Sequence, residues 1–450
     1  VSDFWPKVRL EDLVSKVGSG STPKGGETSY QAAGIPFIRS KNVVFFGFKR
    51  NGLAYLDDDQ AAVLKNAEVC AGDVLLNITG ASIGRVTRAP VDMDGARVNQ
   101  HVCIIRPEES LEPRFLNAFL SSPNMQDKIW ADNYGVTRQA LTKQQILDFD
   151  IPLPPLDEQK RIADKLDAVL ARVVACRNRL DLIPVILKRF RQSVLAAATS
   201  GKLTEKWRYE DTSSWTHERA DDVCGKVQSG GTPKEGFTHK GIPFLKVYNI
   251  VDQKVAFDYK PQFITPAIHD GSMSKSKVQP GDVLMNIVGP PLGKVAIVPD
   301  TNPAWNINQA ITLFRPSDRI STGWLYCILC GGENIADIIH ETRGSAGQTN
   351  ISLSQCRDFI FPVPPVEEQT EIVCRVESLF AFADRLEARY ISARAQVEKL
   401  TPATLAKAFS GELVPQDPND EPASVLLERI KEQHGNQPAS KPKKSRKIAA

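Results

Sequence analysis

Ile151-Pro-Leu-Pro-Pro-Leu-Asp-Glu-Gln159 returns 210 positions later as Phe361-Pro-Val-Pro-Pro-Val-Glu-Glu-Gln369. A Pro-rich strip of this kind continues neither a helix nor a central strand, and the acidic residues that close it are a helix-opening signal. A long apolar period succeeds each strip. After the first it runs through Ile162, Leu166, Val169, Val173, Cys176, Leu180, Ile183, Leu187, Phe190 and Val194. After the second it runs through Ile372, Val376, Leu379, Ala383, Leu386, Tyr390, Ala393, Val397, Leu400 and Thr404. Steps alternating between four and three residues over more than about four heptads predict two coiled-coil helices. Pro184 and Pro402 are expected to kink or interrupt them.

The rest of the chain repeats as well. Val17-Gly-Ser-Gly-Ser-Thr-Pro-Lys24 matches Val227-Gln-Ser-Gly-Gly-Thr-Pro-Lys234, and Gly34-Ile-Pro-Phe37 matches Gly241-Ile-Pro-Phe244. Gly72-Asp-Val-Leu-Leu-Asn-Ile-Thr-Gly80, followed by Gly84, matches Gly281-Asp-Val-Leu-Met-Asn-Ile-Val-Gly289, followed by Gly293. Asn99-Gln100, Arg106-Pro107 and Ser200-Gly201 return as Asn308-Gln309, Arg315-Pro316 and Ser410-Gly411. The offset stays between 207 and 210, so two copies of one unit of about 200 residues fill nearly the whole chain. Before each helix lie short β-branched and aromatic runs, Val74 to Ile78 and Val102 to Ile105 in one copy, Val283 to Ile287 and Ile311 to Phe314 in the other. Punctuated by Gly and Pro turns, they predict an α+β chain of two homologous mixed α/β heads.

Composition bounds the partners. Of 450 residues, 56 are Lys or Arg and 53 Asp or Glu, a net charge of +3, so affinity for a polyanion has to come from local patches. No run approaches the ~18 apolar residues of a membrane span, and Asp3, Lys7 and Arg9 break up the opening segment, which predicts a cytoplasmic protein. The eight cysteines show no disulfide spacing, and Cys327-x-x-Cys330 lacks a second pair for zinc. Gly289 to Val295 falls one residue short of a phosphate loop and lacks its hydroxyl. Asp252 and Lys254 form only a chance half of a nuclease motif, and no His-x-x-x-His pair occurs.

Connection lengths constrain the geometry. Each helix starts where its own head ends, and about 15 linker residues join the first helix to the second head, so helices sharing a seam have to run antiparallel. About 40 helical residues make a spacer of roughly 60 Å between heads related by a pseudo-two-fold. Half-sites about one duplex turn apart, roughly 34 Å, would suit it. Because the heads differ in sequence, the target is expected to be bipartite and asymmetric.

The Gly-Ser-Thr-Pro-Lys opening, the Gly-Asp-Val-Leu motif, the Pro-Leu-Pro-Pro-Leu-Asp-Glu-Gln helix entrance and the Leu195-Ala-Ala-Ala-Thr-Ser-Gly-Lys-Leu203 exit together resemble the specificity subunit of Type I restriction-modification enzymes. The resemblance runs from about Val8 to Val414. It implies a first target-recognition domain at 1–155, a spacer helix at 156–200, a second recognition domain at 201–365 and a second spacer helix at 366–412, while the composition of 413–450, an amphipathic series from Val425 to Ile430 followed by Lys441, Lys443, Lys444, Arg446 and Lys447, predicts a short helix with a basic, disordered arm. It also implies double-stranded DNA, two modification (methyltransferase) subunits and restriction (motor-nuclease) subunits as partners. S-adenosylmethionine, ATP and Mg would sit on those partners, leaving this subunit without catalytic residues, metal or cofactor. Alternatives are a subunit serving a fused restriction-methylation enzyme that cuts on both sides of its site, a duplicated enzyme, and a coiled-coil adaptor.

Base-reading residues are sought where the copies diverge while staying polar. In the first head these are Arg39, Ser40, Lys41, Asn42, Lys49, Arg50 and Asn51, with Tyr134, Thr137, Arg138 and Gln139. In the second they are Lys246, Tyr248, Asn249, Gln253 and Lys254, with Arg343, Ser345, Gln348, Thr349 and Asn350. Arg, Lys, Asn and Gln match the edges of guanine and adenine, and hydroxyls match phosphate. The repeated glycine pairs, Gly80 with Gly84 and Gly289 with Gly293, and the pairs Asn99-Gln100 and Asn308-Gln309 are read as turn formers, the alternatives being close backbone approach to a phosphate for the glycines and adenine reading in a major groove for the amides. Lys188, Arg189 and Arg191 form a basic helix cluster, open to DNA or simply to solvent.

Overall fold

The computed structural model of the chain describes residues 5–131, 140–208, 215–341 and 350–435. It divides into two compact units, residues 1–180 with 393–450, and residues 181–392. Each unit contains one head and one half of each long helix, so the division cuts across the spacer.

In the first unit a four-stranded antiparallel sheet has the order Val14–Ser19, Val102–Pro107, Val74–Asn77, Val86–Arg88. Its two inner strands are buried on both faces, and the period of two sorts their side chains between two cores. Val74, Leu76, Cys103 and Ile105 enter one core with Phe115, Leu116 and Phe119; Leu75, Val102 and Ile104 enter the other with Phe37, Ile38 and Val98. This explains why those strands read as unbroken apolar runs rather than as alternation. The second core is closed by Ala54–Leu56, Ile35–Ile38 and Arg97–Val98, of which the last two run parallel.

The second unit repeats the plan. Lys226–Ser229, Ile311–Arg315, Val283–Asn286 and Val295–Ile297 form its four-stranded sheet, and Ile242–Leu245 runs parallel to Trp305–Ile307. In both units the strand that opens the Pro-rich strip pairs with the head's first strand, Lys7–Arg9 with Asp150–Pro152 and Thr216–Arg219 with Ile360–Val363.

The motifs common to both copies are tie points of this framework. Asp73 and Asp282, buried in the Gly-Asp-Val-Leu turns, take bidentate bonds at 2.7–2.8 Å from Arg106 and Arg315 on the neighbouring strands. Gln159 and Gln369 are fully buried. Gln159 donates to the Ser110 and Pro154 carbonyls and accepts from the Glu112 amide. Gln369 does the same with Arg319, Pro364 and Ser321. The Pro-Pro-x-x-Glu-Gln entrance thus fastens each helix to its own head.

The long helices are Leu156–Thr199 and Val366–Phe409, each of 44 residues. Pro184 and Pro402 lie inside them, so of the expected kink or interruption the interruption does not occur; each proline removes one backbone donor from a ladder that continues on both sides. The helices pair antiparallel. In the first unit Ile162, Leu166 and Leu170 share a core with Leu405, Ala408 and Phe409, and Arg177 pairs with Glu398 at 3.4 Å. In the second, Arg191 reaches Asp384 at 2.7 Å and Glu387 at 2.8 Å.

Of the expected seam, Ile162, Leu166, Val173, Leu187, Ile372 and Val376 are buried, while Val169, Leu180, Ile183, Leu379, Leu386, Tyr390 and Val397 are half-buried. Cys176 and Leu400 are exposed, and Leu170 and Leu405 are buried beside the expected positions. A helix of 3.6 residues per turn drifts from a 3.5-residue repeat, so a strict heptad count loses the seam along the helices.

The chain's end packs on the first head. Phe409 meets Phe115 and Phe119 edge-on at 5.4 and 5.3 Å, Leu426 and Ile430 of helix Ala423–Gly435 enter the same core, and Arg161 holds Asp420. The basic arm beyond lies outside the described residues.

Candidate nucleic-acid interface

The parallel strand pair of each head places two chain segments at one edge, because both strands end on the same side. Phe37 and Ile38 are in register with Arg97 and Val98, and the Asn99 amide donates to the Ile38 carbonyl at 3.1 Å. The segment from Arg39 therefore emerges beside Asn99-Gln100. In the second head Phe244 and Leu245 are in register with Asn306 and Ile307, and the Asn308 amide donates to the Leu245 carbonyl at 3.0 Å. There the segment from Lys246 emerges beside Asn308-Gln309.

A third segment joins each edge. The Ile78 amide donates to the His101 carbonyl and the Leu141 amide to the Ile78 carbonyl, so Ala140, which follows residues 132–139 in the chain, lies against Thr79. Ile287, Ala310, Ile351 and Asn350 repeat this arrangement with Val288. The divergent polar loops thus border the turns that the two copies share. Gly80 and Gly84 adopt positive φ of 68° and 84°, as expected of turn formers.

Within the loops the candidates separate into free and occupied groups. Lys41, Lys49, Asn51, Lys254 and Asn350 are exposed, and Ser40 is half-buried. Asn42 and Asn249 are not available as base readers. Both are fully buried, each accepting from the backbone amide three residues earlier, with Asn42 donating to the Lys49 carbonyl and Asn249 to that of Tyr259. Gln253 is likewise committed, accepting from the Val295 amide at 2.7 Å. Arg39 is held by Glu27 at 2.6 Å and the Gly52 carbonyl at 2.9 Å, stacked 4.9 Å from the Tyr30 ring. Lys246 takes the same place over Phe237 at 4.5 Å. Arg50 is exposed and pairs with Asp92 at 3.0 Å.

Tyr248 is half-buried, donates to the Lys260 carbonyl at 3.3 Å, and has its hydroxyl pKa raised by burial. Tyr134, Thr137, Arg138, Gln139, Arg343, Ser345, Gln348 and Thr349 lie outside the described residues. Arg191 of the helix cluster is engaged with Asp384 and Glu387, whereas Lys188 and Arg189 are exposed.

The signal that separates Asn42 and Asn249 from the free groups is present in the sequence. They occupy matched positions, and a polar residue that two diverged copies share is as a rule one the fold uses. Cys327 and Cys330 are free thiols pushed up to about 12 by burial, and no cluster of His, Cys, Asp and Glu suited to a metal occurs among the described residues. A groove of about 570 Å³ beside the first helix is lined by Phe46, Phe48 and Leu170, and its Arg114 and Asp167 pair with each other at 3.2 Å.

Two heads of one design, each carrying divergent polar loops on a constant framework and joined through paired helices, define a duplicated recognition protein. Residues 3–181 and 212–394 each match the Type I restriction modification DNA specificity domain. The chain belongs to the family of Type I restriction-modification specificity subunits, and its two specificity domains serve a two-part DNA target.

Among its relatives is the Type I restriction enzyme EcoBI specificity subunit of Escherichia coli, 31% identical over 96% of this chain and 92% of the relative. The EcoKI specificity subunit of Escherichia coli K12 is 29% identical over 88% of each chain. The fold matches the HsdS subunit from Thermoanaerobacter tengcongensis with a TM-score of 0.60, at 21% identity over 91% of this chain and 97% of that one. A chain from a type I R-M complex gives a TM-score of 0.67, again at 21% identity, over 92% and 99%. No helix among the described residues is long and apolar enough to cross a membrane.

Proposed function

We propose that each head reads one half of an asymmetric bipartite duplex site through the loops bordering its parallel-strand edge. Lys41, Lys49 and Asn51 would serve the first half, Lys254 and Asn350 the second, together with the segments 132–139 and 342–349. The observation that carries this reading is the common strand ending, which sets divergent polar residues against shared turns in both heads alike. The long helices would seat two modification subunits, which bind S-adenosylmethionine and methylate adenine. Restriction subunits using ATP and Mg would complete the endonuclease. Leu182, Val185, Ile186 and Ile391 are half or more exposed along the helices, an apolar surface suited to such partners. This chain would be the non-catalytic member, working in the cytoplasm.

Exchanging the first head for that of a relative is expected to change one half of the methylated motif and leave the other half intact, read by mapping adenine methylation in host DNA. A simultaneous change in both halves would overturn the assignment of one half to each head.

A further inference from the structure

The internal duplication allows a comparison that a single head would not. Matched polar residues are for the most part consumed by folding. Asp73 and Asp282 bond arginines, Gln159 and Gln369 anchor helices, and Asn42 and Asn249 close turns. Thr142 with Gln145 and Ser352 with Gln355 form capping boxes, and Arg9 with Asp148 matches Arg219 with Asp358.

One matched set stands apart: Thr22, Lys24 and Gln100 in the first head, and Thr232, Lys234 and Gln309 in the second. All six residues are exposed, and Lys24 and Lys234 make no ion pair among the described residues. The set is nonetheless built. A side chain at Gly20 would collide with the Val98 carbonyl, and one at Gly230 with the Asn308 carbonyl, so each Thr-Pro-Lys loop is pressed onto the end of the parallel strand that carries the Gln. In both heads the threonine hydroxyl donates to the glutamine Oε1.

We propose that these two sets are equivalent clamps on the DNA phosphate backbone, used in the same way by both heads and indifferent to base sequence. The proposal rests on the reading that the adjoining loops face DNA. A glutamine recognises adenine by offering Oε1 and Nε2 together. Here the oxygen is turned onto threonine, which leaves the amide NH2 as a donor, in the first head also meeting His101 Nε2 at 3.1 Å, and an exposed lysine stands two residues beyond each threonine. That chemistry suits a phosphate oxygen. The two half-sites differ in sequence, and what they share is their backbone, so a contact kept identical in both heads fits the shared element. Contacts of this kind set register and orientation while the bordering loops discriminate.

The test uses the subunit assembled with its modification partners. Lys24→Gln and Lys234→Gln, separately and together, are compared with Lys41→Ala on cognate and unrelated duplexes across a salt series. Each clamp substitution is expected to weaken both duplexes by the same several-fold factor and to reduce the salt slope of log K by about 0.9. The methylated motif should not change, and Lys24→Arg should restore affinity. Unaltered affinity, or a changed base preference from Lys24→Gln or Lys234→Gln, would overturn the clamp. If Lys41→Ala leaves the motif unchanged while the clamp variants lose affinity on both duplexes, Lys41 is no base reader and the clamp stands.

Discussion

Replacing Glu368 with Gln is expected to lower the unfolding free energy by about 3–5 kcal/mol, the usual cost of removing one charge from a buried pair, while the same change at Glu158 costs nothing. The two residues occupy the same place in the two helix entrances, and their surroundings decide the difference. Glu368 is 1% exposed and accepts from Thr204 at 2.6 Å, Arg208 at 2.6 Å and the Trp215 indole at 2.9 Å. A glutamine there leaves the buried Arg208 without its counter-charge.

Glu158 is equally buried, yet its Oε1 has no partner among the described residues. Burial pushes its carboxyl above the ordinary value of 4.5, with the Trp5 indole opposing. The folded chain keeps this proton after the unfolded chain has released it, so the group's contribution to stability falls as pH rises from about 4.5 toward the folded value. Glu158→Gln should therefore be neutral near pH 4 and stabilising at pH 7. Urea unfolding at the two pH values checks both halves of this contrast, and equal effects at the two positions would refute it.

Asp282→Ala is expected to cost a similar amount, about 3–5 kcal/mol. Its carboxylate is fully buried under Arg315 and also accepts from the Gln279 amide at 3.0 Å. The adjacent Lys226 already has its pKa lowered, first by burial and then by Arg315. Without the aspartate, two cations would share a half-buried site with no anion between them. Asp282→Leu combined with Arg315→Met should recover most of the loss, since an apolar pair needs no desolvation of charge. The urea midpoints of the single and double variants decide this, and a double variant as unstable as the single would show that the ion pair does more than neutralise itself. Asp73→Ala should act in the same way on the first head.

Much of this architecture is legible because the chain is written twice. The Pro-rich strips, the helices behind them and the apolar strand runs each appear where the repeat places them. The misreadings have physical causes. A strict heptad count assigns Leu400 to the seam, whereas the 3.6-residue turn leaves Leu400 exposed and brings Leu405 inward. Proline inside a long helix removes one backbone donor and leaves the ladder intact on both sides, so it need not interrupt the helix. In the recognition loops residue type misleads. Asn42 and Asn249 have base-reading chemistry, but a buried amide saturates itself on nearby backbone groups, and only their matched positions hint at it, while the half-buried Gln253 spends its Oε1 on the Val295 amide. The clamp residues are visible as repeated letters in the two copies, but their exposure is not.

The central strands of each head send alternate side chains into separate cores, so both faces of the sheet are filled before any loop is considered. Variation at the rim therefore need not disturb the interior. A lineage built on this plan can acquire a new half-target by rewriting a few surface residues in one copy, with the other copy's vocabulary untouched.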